Sequence, residues 1–362
     1  MTSRYAAGRD HVESMLAAWG EPAYRARQLW DGLYARRRPL EHCTDLPATL
    51  RTRLARELPL ALELRTEARS NDGATVKQLW AARDGAQVET VLMEYPTRAT
   101  VCVSSQAGCA MACTFCATGQ AGFERHLDPG EIVEQVVRAA HGASKRVGNV
   151  VYMGMGEPLA NYDAVWASIE RLHDALGISA RHITVSTVGV APAMRRLARE
   201  RLPVTLAVSL HAPDDDLRRR LVPLNDRYPL ADVLDAAREF ADAKGRRVTF
   251  EYACIAGVND RSHHADALAR VLGAFGGRGG AHVNLIPLNP TAGFPGQAPR
   301  AGSLRAFAAR LRSRGVNATV RRNRGTDIDA ACGQLRMRSG GSGGAPPEAV
   351  PIAPTPSATM GP

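Results

Sequence analysis

Lysine is nearly missing from this chain of 362 residues. It occurs three times, at Lys77, Lys145 and Lys244, so arginine supplies 43 of the 46 basic side chains. The guanidinium fork binds phosphate oxygens in pairs, so a net charge of +10 carried by arginine points to an anionic partner such as nucleic acid. A GC-rich coding sequence would leave the same mark. Long apolar runs are missing too. No stretch reaches the roughly 18 residues of a membrane-spanning helix. The opening MTSRYAAGRDHVESM has no apolar segment, so no secretory signal is expected, no membrane partner, and a cytoplasmic location. An even set of cysteines is also lacking. The seven present are Cys43, Cys102, Cys109, Cys113, Cys116, Cys254 and Cys332, and an odd number without a leader argues against a disulfide framework. With 45% hydrophobic and 23% charged residues the chain is not disordered, collagenous or a disulfide mini-protein.

What is present falls into distinct stretches. Residues 8–57 read as helical, with Tyr24, Leu29, Trp30 and Leu33 at helix-like spacing. Residues 58–98 alternate, broken at Asn71-Asp72-Gly73 and Asp84-Gly85, which predicts three antiparallel strands. From Thr100 onward, strand-like segments at 100–104, 149–153, 182–187, 204–210, 247–255, 281–287 and 317–322 alternate with helical ones near 129–142, 163–176, 191–201, 229–244, 262–275 and 301–314. Such alternation predicts an α/β fold of parallel units, as a partial barrel or an open doubly wound sheet. Either way, ligands are expected at the carboxyl ends of the strands. The expected division is a helical region over 1–57, a β-meander bridge over 58–98, a core over 99–338 and a disordered Gly/Pro/Ser tail over 339–362.

Four of the seven cysteines lie within fifteen residues, and three follow C-x3-C-x2-C as Cys109, Cys113 and Cys116. A structural zinc site wants four ligands, and the nearest downstream candidate, His126, is ten residues beyond Cys116. A [4Fe–4S] cluster can use three thiolates and leave one iron open to a small molecule. The spacing favours iron–sulfur and leaves zinc as the lesser alternative.

This cysteine triplet, with Phe115 before its last member, resembles the radical SAM superfamily. The stretches CVSSQAGCAMACTFCATGQAGF (102–123), YMGMGEPLANY (152–162), ITVSTVG (183–189), LAVSLHAP (206–213), NLIPLNP (284–290) and RRNRGTDIDAACGQL (321–335) resemble the RlmN family within it. The resemblance runs from about residue 10 to 338. It implies a partial (β/α)6-type barrel and methylation of adenine C2 in 23S rRNA and tRNA. It also implies a [4Fe–4S] cluster on Cys109, Cys113 and Cys116, and two molecules of S-adenosylmethionine (SAM) per turnover. By the same resemblance Gly156, Glu157, Ser186, Ser209, Leu210, His211 and Asn289 bind SAM. A flavodoxin or ferredoxin donates the electron, and the enzyme is a monomer.

The target carbon accounts for the unusual machinery. Adenine C2 lies between two ring nitrogens and is too electron-poor to attack an electrophilic methyl group. A carbon radical can add there. The resemblance makes Cys332 the methyl carrier, its thiolate taking methyl by displacement. Loss of hydrogen then gives a sulfur-borne carbon radical that adds to C2. Cys102 attacks the Cys332 sulfur to release product as a transient disulfide forms, and Glu89 accepts the C2 proton. Cys43 and Cys254 match no motif and read as inert buried thiols. Arg25, Arg27, Arg36–Arg38, Arg218–Arg220, Arg321, Arg322 and Arg324 are candidate phosphate contacts. The rival readings are the Cfr-like C8 methyltransferases, a radical SAM activase of a protein glycyl site, and a metal-dependent RNA-binding module.

Overall fold

The computed structural model describes residues 2–335 apart from 274, 276–279, 322 and 332. Cys332, Arg322 and the tail 339–362 therefore lie outside the described residues. Among those described, twelve strands follow in chain order. They are β1 Leu62–Arg69, β2 Thr75–Ala82, β3 Gln87–Glu94, β4 Ala99–Cys102, β5 Gln106–Gly108, β6 Phe123–His126, β7 Val147–Tyr152, β8 Ile183–Thr187, β9 Thr205–Ser209, β10 Val248–Cys254, β11 Ala281–Pro287 and β12 Asn317–Val320.

Ten strands make one sheet in the order β1-β2-β3-β4-β7-β8-β9-β10-β11-β12, and β5 pairs with β6 alone. Strands β1 to β4 pair antiparallel, and every pair from β4 to β12 is parallel. The parallel strands stand in chain order with no reversal. Right-handed crossovers repeated in one direction put every helix on one face, so the sheet curls around its other face. This decides for the singly wound partial barrel over the doubly wound sheet.

Six helices make the crossovers: Pro129–His141, Tyr162–Asp174, Ala191–Arg199, Leu230–Lys244, Ser262–Gly273 and Ala301–Ser313. The first shows how sequence fixes a start. The Asp128 side chain accepts from the Glu131 backbone N–H, the Glu131 side chain accepts from the Asp128 N–H, and Pro129 needs no N–H partner. Ile132, Val133, Val136 and Val137 then bury completely or nearly so.

The N-terminal helices Arg9–Ala18, Tyr24–Trp30 and Ala48–Glu57 pack onto this body. Leu16, Leu29, Leu33 and Leu54 share one apolar core with Val136 and Ile169 of the crossover helices. Tyr24 departs from the expected apolar stripe and is 45% exposed. Five residues at about 100° each set it roughly 140° around the helix from Leu29. The meander is anchored by Glu134, whose buried carboxylate accepts the Ala61 and Leu62 N–H groups. Among the described residues no helix is long and apolar enough to cross a membrane.

Candidate active site

The loop bearing Cys109, Cys113 and Cys116 is closed at its base by the β5–β6 hairpin. Cys109 N–H donates to Gly122 O at 2.7 Å. Gly108 (φ 73°) has no alternative there, because a Cβ would collide with that same oxygen. The loop is tied down on two sides. Thr114 N–H donates to Leu221 O, and Ala117 N–H donates to Gly333 O at 2.8 Å. Phe115 wedges beneath it, edge-on to His211 with ring centroids 4.8 Å apart.

Burial pushes the Cys109 thiol up to about 12 and Cys113 well above the usual range. Cys116 and Cys109 further raise Cys113, so the three sulfurs sit within electrostatic reach of one another and of Glu157. Among the described residues no three His, Cys, Asp or Glu groups converge on a single ion. The donor set nevertheless fits an iron–sulfur cluster. Three closely set thiols stand beside a fully buried cation, Arg218, whose charge favours the Cys113 thiolate. Its Nη1 donates to Asn225 Oδ1 and its Nη2 to Val188 O, while its Nε is buried with no partner. Positive charge held out of water beside cysteines suits a centre that carries several thiolates.

A cavity opens beside this loop at the carboxyl ends of the strands. Cys113, Cys116, Gly156, Glu157, Ser186, Ser209, His211 and Asn289 all line it. Cys109 and Leu210 are not among the lining residues, and the Leu210 side chain is buried in the apolar core. Glu157 follows β7. Its Oε1 accepts the Leu159 N–H and its Oε2 the Val188 N–H, both at 2.9 Å. Burial outweighs these bonds and raises its carboxyl to about 7. The glycines before it are steric requirements. A Cβ at Gly154 would lie 2.6 Å from Val103 O, and Gly156 has φ 97°. His211 is held neutral, since burial lowers it to about 3. Its Nδ1 accepts the Ala253 N–H, so Nε2 carries the ring proton. Asn289 Oδ1 accepts from Asn323 Nδ2 at 2.5 Å.

Thr187 and Glu251 also line this cavity, although the sequence does not single them out. Glu251 sits inside β10, 4% exposed, with Oε1 bonded to Asn284 Nδ2 and Oε2 buried without a partner. Its one legible signal is a charged residue within an otherwise uncharged strand.

A second cavity lies next to the first and shares Met153, Arg321 and Leu335 with it. Its lining includes Val91, Cys102 and Val151, with Tyr95, Asn323 and Arg324. Val91, Cys102 and Val151 are neighbours across β3, β4 and β7. Glu89, two residues before Val91 on the same face of β3, is buried and ion-paired with Lys77 at 3.1 Å. Ala331 lines the second cavity and Gly333 the first, one on either side of position 332.

Several arginines expected at phosphates have other work. Arg218 is buried, as above. Arg37 donates to Val147 O and Leu176 O, and Arg25 to Gln28 and Asp45 O. Arg321 lines both cavities, and Arg324 donates to Glu94 O. Backbone carbonyls left over at element ends captured several of these side chains, which charge counting alone does not foresee. Arg27, Arg36, Arg38, Arg219 and Arg220 are exposed, Arg36 pairing with Asp45 and Arg219 with Asp216 and Asp226. Cys43 and Cys254 are buried away from both cavities.

Comparison with known proteins fits this geometry. Residues 103–268 match the family model of the radical SAM superfamily. The probable dual-specificity RNA methyltransferase RlmN of Frankia alni is 54% identical over 349 residues, covering 92% of this chain and 82% of the relative. Its counterpart in Chloroflexus aurantiacus is 50% identical over 343 residues, covering 91% of each. The chain belongs to the RlmN family. A crystal structure of a radical SAM methyltransferase from Sphaerobacter thermophilus superposes with a TM-score of 0.88 at 49% identity, covering 93% of this chain and 99% of that one. The protein is therefore a SAM-dependent radical RNA methyltransferase. Its superfamily implies a [4Fe–4S] cluster and SAM, and its substrate class is RNA rather than a protein glycyl site.

Proposed function

We propose that this enzyme methylates C2 of adenine in 23S rRNA and in tRNA beside the anticodon, with Cys332 as the methyl carrier. Cys109, Cys113 and Cys116 hold the cluster and leave one iron open. Gly156, Glu157, Ser186, Ser209, His211 and Asn289, which line the first cavity, hold SAM, used twice per turnover, and Leu210 supports them from the core. When bound, these groups supply one-electron cleavage chemistry that yields a carbon radical.

The observation that carries the reading is the common wall between the cavities. Cys113 and Cys116 line one and Cys102 lines the other. The neighbours of Cys332 divide in the same way, Ala331 on the second cavity and Gly333 on the first. A methyl carrier must visit both the SAM side and the RNA side, and this wall is the place that serves both.

The chain's own groups then divide the work. The Cys332 thiolate accepts methyl and carries it toward the base. The target adenine leaves its stack to enter the second cavity, because a base held inside a helix cannot enter a protein cavity. Glu89 accepts the C2 proton. The Cys102 thiolate attacks the Cys332 sulfur: a Cys102–Cys332 disulfide forms as the sulfur–carbon bond breaks, the freed carbon takes up a proton to become the methyl group, and the adduct's surplus electron passes to the electron-donor couple, which later reduces the disulfide. Exposed arginines of the N-terminal helical region, Arg27, Arg36 and Arg38, together with Arg220, contact RNA phosphates. A flavodoxin or ferredoxin supplies the electron to a cytoplasmic monomer.

The test is mass analysis of digested rRNA and tRNA from cells carrying the wild-type gene or Cys332→Ala. The expected result is C2-methyladenosine in both RNAs with the wild type and in neither with the variant. C8-methyladenosine instead would assign the Cfr-like chemistry, and a mark that survives in the variant would overturn the carrier.

A further inference from the structure

Lys77 is one of three lysines in a chain that otherwise uses arginine, and it is the one placed beside the second cavity's chemistry. It lies on β2, opposite Val91 of β3, while Leu79 lies opposite Glu89. Lys77 and Glu89 therefore share a sheet face on a diagonal. The Lys77 ammonium is 3.1 Å from Glu89 Oε1 and donates to Asp329 O at 3.2 Å. The two side chains are 13% and 3% exposed.

Asp329 belongs to the loop that leads into position 332. The same loop docks on the meander twice more. Asp327 Oδ2 accepts the Asn71 N–H at 2.7 Å. Gly325 (φ 63°) sits so close to Thr75 that a Cβ would lie 2.9 Å from its methyl group. One ammonium thus bridges a buried carboxylate on β3 and the backbone of the carrier loop. A tetrahedral ammonium can serve two acceptors in different directions, whereas a planar guanidinium favours two oxygens of one partner.

We propose that Lys77 is a positioning residue: it holds the Glu89 carboxylate and the loop bearing Cys332 in one fixed relation, so that proton removal from the RNA adduct keeps pace with its formation. The inference rests on the reading of Glu89 as proton acceptor.

The test compares reconstituted holoenzyme as wild type, K77M, E89Q and K77M/E89Q, with the RNA on which the wild type forms methyladenosine. General-base contributions run to about 100-fold or more, and loss of a positioning partner is expected to cost about tenfold in product formation. K77M is expected to load methyl on Cys332 at the wild-type rate, form product about tenfold more slowly, and accumulate covalent enzyme–RNA adduct on a denaturing gel. The double variant is expected to be no slower than E89Q within about twofold, since both changes act through one group. Slow product formation by K77M without adduct, or losses that multiply in the double variant, overturns the role of Lys77. If E89Q traps adduct and K77M does not, the inference about Lys77 alone fails. If E89Q turns over like the wild type, the reading of Glu89 fails and the inference falls with it. Should K77M not fold, K77Q carries the same measurements.

Discussion

The two cavities share a wall but are built in opposite ways. The first is assembled from strand ends: Glu157 after β7, Ser186 in β8, Ser209 and His211 at β9, Asn289 after β11. Each side chain is placed by the unit that carries it. The second takes its floor from a sheet face at Val91, Cys102 and Val151, and its cover from the segment after β12. That covering segment is docked by contacts between distant residues, Lys77 to Asp329 and Asn71 to Asp327. A site made of local units tolerates loss of one contact, while a site closed by a distant segment depends on that segment being docked.

Substitutions at the two cysteine positions should separate the cavities most sharply. Cys116→Ala is expected to lose cluster iron and all product formation. Cys102→Ala is expected to keep iron and SAM binding and to remain covalently joined to RNA. Iron analysis and a denaturing gel check both, and a Cys102→Ala enzyme that releases its RNA freely would remove Cys102 from the chemistry.

A smaller effect is expected at Glu157. Exchange for Gln removes the charge that would meet a ligand ammonium, a charge-assisted bond of about 1.5–3 kcal/mol, so SAM affinity should fall roughly 10- to 100-fold. Equilibrium dialysis with SAM measures this. RNA affinity, which the proposed function assigns to the other cavity, should stay unchanged, and a parallel loss of both would blur the division drawn here.

The smallest expected effect is on stability. Gly154→Ala drives a methyl group against Val103 O and should cost about 1–3 kcal/mol. Gly148→Ala, in β7 with open space around it, should change stability by less than about 0.5 kcal/mol. Thermal melts of the two variants compare them directly, and equal Tm values would show that the strand end is softer than its packing suggests.

The same division explains what can be read in advance. All seven parallel strands and six crossover helices are legible, because alternation of apolar segments and a start signal such as Asp128-Pro129-Gly130-Glu131 are local. Local pattern also places ligands at the strand ends, but which strand-end residues serve comes from the family resemblance, and Leu210 among them does not line the cavity. Glu251 is not legible, since a buried carboxylate within a strand looks like a sequence accident until its neighbours are known. Arg218 reads as a surface cation, because three consecutive arginines hide that the first faces inward while the next two face water. Lys77 is legible only as a rarity. Its partners lie across a strand pair and some 250 residues away, and no pattern within a single element reports that.

The cysteine loop also meets its last hydrogen-bond partners from far along the chain: Thr118 donates to Leu335 O and Ala117 to Gly333 O. At about 5–20 residues per second, a ribosome delivers those partners on the order of 10–40 s after the loop itself. Through that interval the newborn loop lacks the two carbonyl acceptors that later tie down Ala117 and Thr118, so its final geometry waits for a segment made more than 200 residues later.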